Sequence, residues 1–242
     1  MFKARYSLPK HVGVCLIVFY GGATSVAQTR RAQVVEGRRA VVFDERLSVL
    51  RARPDIGAPL VQRLRRGRIV GVTGAARSRD GLQYLRVTVT RRTRGWVLTE
   101  AVARSGQQSD AERLMELMET ASDDFVKLKL GRICADEFRG TKIAARALLL
   151  LGETAERVAQ QLTRLAQRRI KTSDDRARAS SRRVYLLNDV GLDRCNRMGV
   201  GFTADPAGQQ LIYDGAAYRE LLRRYPRAPE AAQAKEKLRK TG

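Results

Sequence analysis

Hydrophobic and polar positions change period once along this chain, close to residue 105. Before that point apolar residues alternate with polar ones. Leu85, Val87 and Val89 alternate with Tyr84, Arg86 and Thr88, the period of two of a half-buried strand. Val70 and Val72 repeat the pattern within Arg68-Ile69-Val70-Gly71-Val72. Turn formers separate the runs: Pro54-Asp55 with Gly57, Arg66-Gly67, Asp80-Gly81 and Arg94-Gly95. Four or five short strands between Ala40 and Val102 suit a small β-barrel.

Helical spacing takes over afterwards. Ser109 with Glu112 forms a capping-box pattern, and Leu114, Leu117, Met118 and Ala121 share one helical face. A second helix is predicted over 141–151, stopped by Gly152. A third begins near Thr154 and carries Val158, Leu162, Leu165, Ala166 and Ile170 at spacings of three and four. The polar run 172–181 reads as a loop. Residues 185–198 predict a fourth helix, followed by a Gly/Asp/Pro-rich crossing over 199–208. The fold class is therefore α+β in two parts, strands first and helices second.

The amino terminus has a different character. Lys3, Arg5 and Lys10 precede an apolar run of nine residues, Val12 to Tyr20. That run is too short to span a bilayer, which takes about 20 residues. Ser25-Val26-Ala27 has the small-x-small pattern read by signal peptidase, so 1–27 is expected to be a signal peptide cleaved before Gln28. Residues 28–38 then form a polar linker. The alternative is a buried amino-terminal strand or helix. Cys15 raises the question of a lipid anchor, but Val12-Gly13-Val14 matches that pattern poorly. The expected location is extracytoplasmic, periplasmic or secreted.

Charge adds a partner class. The chain carries a net +22, and 28–104 alone holds 18 arginines against 6 acids. Residues 105–242 hold 26 basic residues against 19 acids. Such a field draws anionic polymers or a membrane surface, and arginine suits phosphate and carboxylate better than lysine does. Yet arginine outnumbers lysine 38 to 9 throughout, so GC-rich codon usage explains the same composition. Nucleic acid is not an expected partner of an exported chain.

Catalytic chemistry finds little support. His11 is the single histidine and falls within the predicted signal peptide, so Ser-His and Cys-His arrangements and common zinc sites are not expected in the mature chain. The carboxylate pairs Asp44-Glu45, Asp123-Asp124, Asp136-Glu137 and Asp174-Asp175 are adjacent in sequence, and adjacent side chains point apart. No glycine-rich phosphate loop is present, and no catalytic residue, cofactor or metal is expected. Cys134 and Cys195 are either one disulfide, as an oxidising compartment favours, or two buried thiols.

Two stretches resemble known families. Leu47 to Pro54 (LSVLRARP), Leu60 to Thr73, Leu82 to Thr90 and Thr93 to Val102 (TRGWVLTEAV) resemble the strands of bacterial SH3 domains. Gly95-Trp96-Val97 is the most specific mark. The resemblance implies an SH3-like barrel over 39–104 that binds peptidoglycan or a short peptide. The family's usual groove tryptophan is replaced by Leu82 or Tyr84. Tyr213 to Leu238 is similar to one tetratricopeptide unit, with a Tyr-Pro-x-x-Pro turn at Tyr225 to Pro229, and implies a helical hairpin at 213–240 within an α-helical domain over 105–242. Candidate ligand residues are Trp96, Tyr84, Arg51, Arg53 and Arg66, with Arg65 and Arg68 nearby. Trp96 either lines a groove or packs on the barrel wall, and the period of Tyr84 predicts exposure. The expected function is an exported, non-enzymatic adaptor of the bacterial envelope. The alternative is a scaffold in which the helical segment carries the protein partner and the barrel is a spacer.

Overall fold

A computed structural model of the chain describes residues 37–172, 183–184 and 186–241. The predicted signal peptide, its cleavage site, Cys15, almost all of the linker, most of the polar loop and Asp174-Asp175 lie outside the described residues. The fold is α+β: an antiparallel sheet, then helices. The strands are β1 (Arg38–Val42), β2 (Val49–Arg51), β3 (Leu60–Arg63), β4 (Ile69–Arg77), β5 (Gln83–Thr88), β6 (Arg94–Leu98) and β7 (Val102–Arg104). Their order across the seven-stranded sheet is β3-β2-β6-β5-β4-β1-β7.

Alternation builds the sheet core as the sequence predicts. Leu85 and Val87 of β5 turn inward with Val42, Leu50, Val70 and Val97. β3 is an edge strand with all four residues exposed. Its pairing with β2 runs Leu50 to Gln62 and Arg51 to Leu60, which leaves Val61 as a bulge. Bulges at sheet edges discourage unwanted pairing.

β1 is buried on both faces. Ala40 and Val42 face the sheet core, whereas Val41, with Phe43 just beyond the strand and Ala103 of β7, joins the helical core. Polar fasteners close the same seam. Arg39 grips Glu137 with two hydrogen bonds of 2.7 and 2.8 Å, and the Ser105 hydroxyl donates to the same carboxylate at 2.8 Å. Arg113 donates to the Val102 carbonyl at 2.9 Å and stacks over the Phe43 ring, 4.8 Å from its centroid.

The helical part comprises α1 (Gln108–Thr120), α2 (Asp124–Glu137), α3 (Ile143–Thr172), α4 (Val190–Arg197), the hairpin β8 (Phe202–Ala204) and β9 (Leu211–Tyr213), α5 (Ala216–Arg224) and α6 (Glu230–Thr241). α3 is the spine against which α1, α2, β9, α5 and α6 pack.

Several sequence expectations are corrected here. The capping box at Ser109 does not form: Gln107 is the N-cap, without a side-chain bond, and Ser109 lies inside α1. Asp110 does related work instead, accepting the Arg104 N–H at 2.9 Å. Gly152 does not stop a helix; α3 runs 30 residues through it. The reason is packing, because a β-carbon at Gly152 would lie 2.5 Å from Cζ and 2.8 Å from Cδ1 of the Tyr218 ring. The helix predicted over 185–198 is broken: residues 183, 184, 186 and 187 are helical, and α4 starts afresh at Val190, where the Asp189 carboxylate accepts the Gly191 N–H at 2.7 Å. The crossing over 199–208 contributes β8, and the Leu211 N–H docks the hairpin on α3 by donating to the Thr163 hydroxyl at 2.9 Å. The helical hairpin expected at 213–240 is present as α5 and α6, although Tyr213 itself ends β9.

Candidate functional site

Three central strands set a row of side chains on the sheet face opposite its core. Arg51 of β2 stands opposite Trp96 of β6, and Trp96 stands opposite Arg86 of β5. Directly opposed residues of antiparallel strands share a face, with β-carbons about 5 Å apart. Their neighbours Leu50, Val97, Leu85 and Val87 point the other way into the core. Trp96 is half-buried, Arg51 likewise, and Arg86 is exposed.

Gly95-Trp96-Val97 can now be read physically. A β-carbon at Gly95 would lie 2.6 Å from the Arg51 carbonyl and 2.8 Å from Leu50 Cγ, so glycine is what lets β2 and β6 approach. Val97 is a core residue, and Trp96 lies on the outward face between Arg51 and Arg86 in the strand register. Arg51 also ties down the 52–59 loop by donating to the Ala58 carbonyl at 2.7 Å. Arg53 and Ile56 project from that loop as exposed residues.

Tyr84 departs from expectation. It is 1 % exposed and belongs to neither hydrophobic core. The alternation assigns its face correctly, away from Leu85 and Val87, but that face is covered. Burial pushes its hydroxyl pKa up; Arg51 pulls it down, and Asp55 and Asp80 push it further up. Its hydroxyl is buried without a hydrogen-bond partner. Tyr84 therefore shares the face of Arg86 and Trp96 but is closed to solvent, and is not an open contact residue.

Arg66 stands apart from the Trp96 row. Its Nε donates to the Phe43 carbonyl at 2.7 Å, and its backbone N–H donates to Glu45 at 2.7 Å. It lines a separate groove with Arg63, Arg65 and Arg68. Of the candidates, then, Arg51 and Trp96 come together, Arg53 lies on the adjoining loop, Tyr84 is on the same face but buried, and Arg66 is elsewhere. Arg86 was missed: its outward alternation was legible, but its place beside Trp96 needs the β5–β6 register.

The described carboxylate pairs are engaged in structural contacts. Asp44 binds Arg46, whose hydrogen bond and charge lower the Asp44 pKa against the opposing effect of burial. Asp123 caps α2 through the Phe125 N–H, and Asp124 meets Arg157 at 3.1 Å. Asp136 pairs with Arg132, and Glu137 with Arg39. Among the described residues no group of three or more His, Cys, Asp or Glu side chains is placed to hold a metal ion.

Of the two alternatives for the cysteines, the structure holds the second. Cys134 and Cys195 are both free and buried. Each sits in the apolar core of the helices, and burial pushes their thiols up to about 12 and about 11 respectively. Compared with known families, functionally characterised proteins and solved structures, the chain matches no family model, no characterised protein and no solved structure.

Proposed function

We propose that this chain is an exported, non-enzymatic binding protein of the bacterial envelope, and that its sheet is an SH3-like barrel recognising peptidoglycan or a short acidic peptide. The observation that carries this reading is the Arg51–Trp96–Arg86 row. An aromatic face suits the apolar face of a sugar or a peptide side chain. The flanking guanidinium groups suit carboxylates, which wall peptides and acidic peptides share.

The test is sedimentation of the purified mature chain with isolated wall sacculi. The native protein is expected in the pellet at moderate salt. Trp96→Ala is expected to move it to the supernatant while the thermal unfolding temperature stays close to the parent's. A native protein that stays in the supernatant at every salt concentration refutes wall binding.

A scaffold reading draws on a different surface. The apolar residues Tyr218, Leu221, Ala231 and Ala234 of the α5–α6 hairpin, which supports its tetratricopeptide likeness, are spent inward. Val184, Leu187 and Val190 remain exposed in the helical part, beside a groove of about 430 Å³ that includes Pro206 and Ala207. If the helices carry a partner, Leu187→Asp should abolish its capture from an envelope extract while Trp96→Ala leaves it intact.

A further inference from the structure

The turn between β3 and β4 carries a cluster that the Trp96 row does not use. Arg63, Arg65, Arg66 and Arg68 fall within six residues and line a single groove of about 350 Å³. Val89 and Thr90, beyond the end of β5, complete its lining. Leu64 between the arginines is buried in the sheet core, so the floor of the groove is anchored.

A fifth cation stands close by. A β-carbon on Gly67 would lie 3.3 Å from Cε of Lys129 on α2. Burial lowers the Lys129 pKa, and Arg66 and Arg65 press it down further, with Glu45 pulling the other way. Glu45 is the acid at this turn, and its carboxylate already accepts the Arg66 N–H. The neighbouring Asp44 is committed to Arg46.

The cations themselves are incompletely partnered. Among the described residues the side chains of Arg63 and Arg65 make no hydrogen bond or ion pair, and both are exposed. Arg68 spends one nitrogen on the Val89 carbonyl at 3.2 Å, while its Nε is buried with no partner. A buried guanidinium N–H without an acceptor costs stability, and so does crowding like charges around one turn. A compact, multiply charged anion with several acceptor oxygens relieves both at once. A single carboxylate offers too little charge for this many cations, whereas a phosphoryl group matches the forks of two or three arginines.

We propose that this groove is a binding site for a phosphoryl group, carried by a free phosphate ester or by a lipid headgroup, with Arg63, Arg65 and Arg68 as its donors. It stands independently of the Trp96 reading, because Trp96 is not among the lining residues.

The experiment is calorimetric titration of the full chain with inorganic pyrophosphate at low salt. Saturable binding at one site is expected. Arg63→Gln/Arg65→Gln, at exposed positions that the fold tolerates, should weaken it about tenfold or more, as expected for lost charge-assisted bonds. Arg79→Gln/Arg164→Gln removes the same charge from exposed positions elsewhere and should change affinity by no more than about twofold. Absence of saturable binding overturns the proposal, and so does equal loss in both pairs. Flotation with phosphatidylglycerol and phosphatidylcholine vesicles separates the sources. Selective phosphatidylglycerol binding, lost in Arg63→Gln/Arg65→Gln, assigns a headgroup. Pyrophosphate binding without vesicle binding assigns a free phosphate ester.

Discussion

Gly152→Ala tests the packing that makes α3 one helix. In an open helix interior this change should stabilise, because alanine exceeds glycine in helix propensity by about 1 kcal/mol. Here the new methyl would lie 2.5 Å from Cζ of Tyr218, well inside van der Waals contact. The ring has nowhere to go: Tyr218 is fully buried, stacks edge-on to Tyr213 at 5.9 Å, and its hydroxyl donates to Glu156 at 2.9 Å. Overpacking of this kind costs about 1–3 kcal/mol, and loss of a hydrogen bond to a charged acceptor about 1.5–3 kcal/mol. Net of the propensity gain, Gly152→Ala should destabilise by about 1.5–5 kcal/mol, a fall in Tm on the order of 10 °C. Tyr218→Ala removes the obstacle. In that background the same substitution should instead stabilise by about 1 kcal/mol, so the two positions couple strongly. Urea unfolding of the four proteins, followed by circular dichroism, measures the coupling. If Gly152→Ala stabilises the native background, the ring does not rest on this glycine and the account of α3 is wrong.

Further expectations concern single groups. Tyr84→Phe deletes a buried hydroxyl that has no partner, so it should stabilise by about 1 kcal/mol in urea unfolding. Destabilisation by that amount would show that the hydroxyl is in fact bonded. Tyr84→Ala should cost about 3–5 kcal/mol, so its binding defect would not be separable from unfolding. Asp136 predicts an acid response. Burial would raise its pKa, but the Arg132 hydrogen bond and the charges of Arg132, Arg139 and Arg224 outweigh burial and hold it lower than usual. A depressed folded value means that its stabilisation is complete above the unfolded value of about 3.9 and is lost as pH falls through the folded one. The stability gap between the native chain and Asp136→Asn should therefore shrink as pH drops below about 4, and a gap that persists undiminished there would count against the pairing.

The sheet was legible because its strands are half-buried: Leu85, Val87 and Val89 report one face. The α5–α6 hairpin was legible for a similar reason, since Tyr218 and Leu221 form a stripe ended by Pro226. α2 was not. It lies between α1 and α3, so it buries Leu128, Leu130, Gly131, Ile133, Cys134 and Ala135 on more than one side, and no single stripe stands out. Gly152 misled because a glycine that accommodates a ring and one that ends a helix look the same in sequence. In the candidate site, alternation gave Arg86 its outward face and left Trp96 open between groove and barrel wall, and nothing local says which strands are neighbours. Tyr84 is closed off by tertiary packing over the outward face, which no period can reveal.

A strand that is a wall of two cores also couples their fates. Ala40 and Val42 cannot leave the sheet interior without Val41 leaving the helical one. The two cores therefore open together or not at all, and β1 amides exchange with solvent only through global unfolding. Ligand held at the Trp96 row or at the arginine groove would then raise the melting point of the distant helices as much as that of the sheet, by mass action on one shared equilibrium.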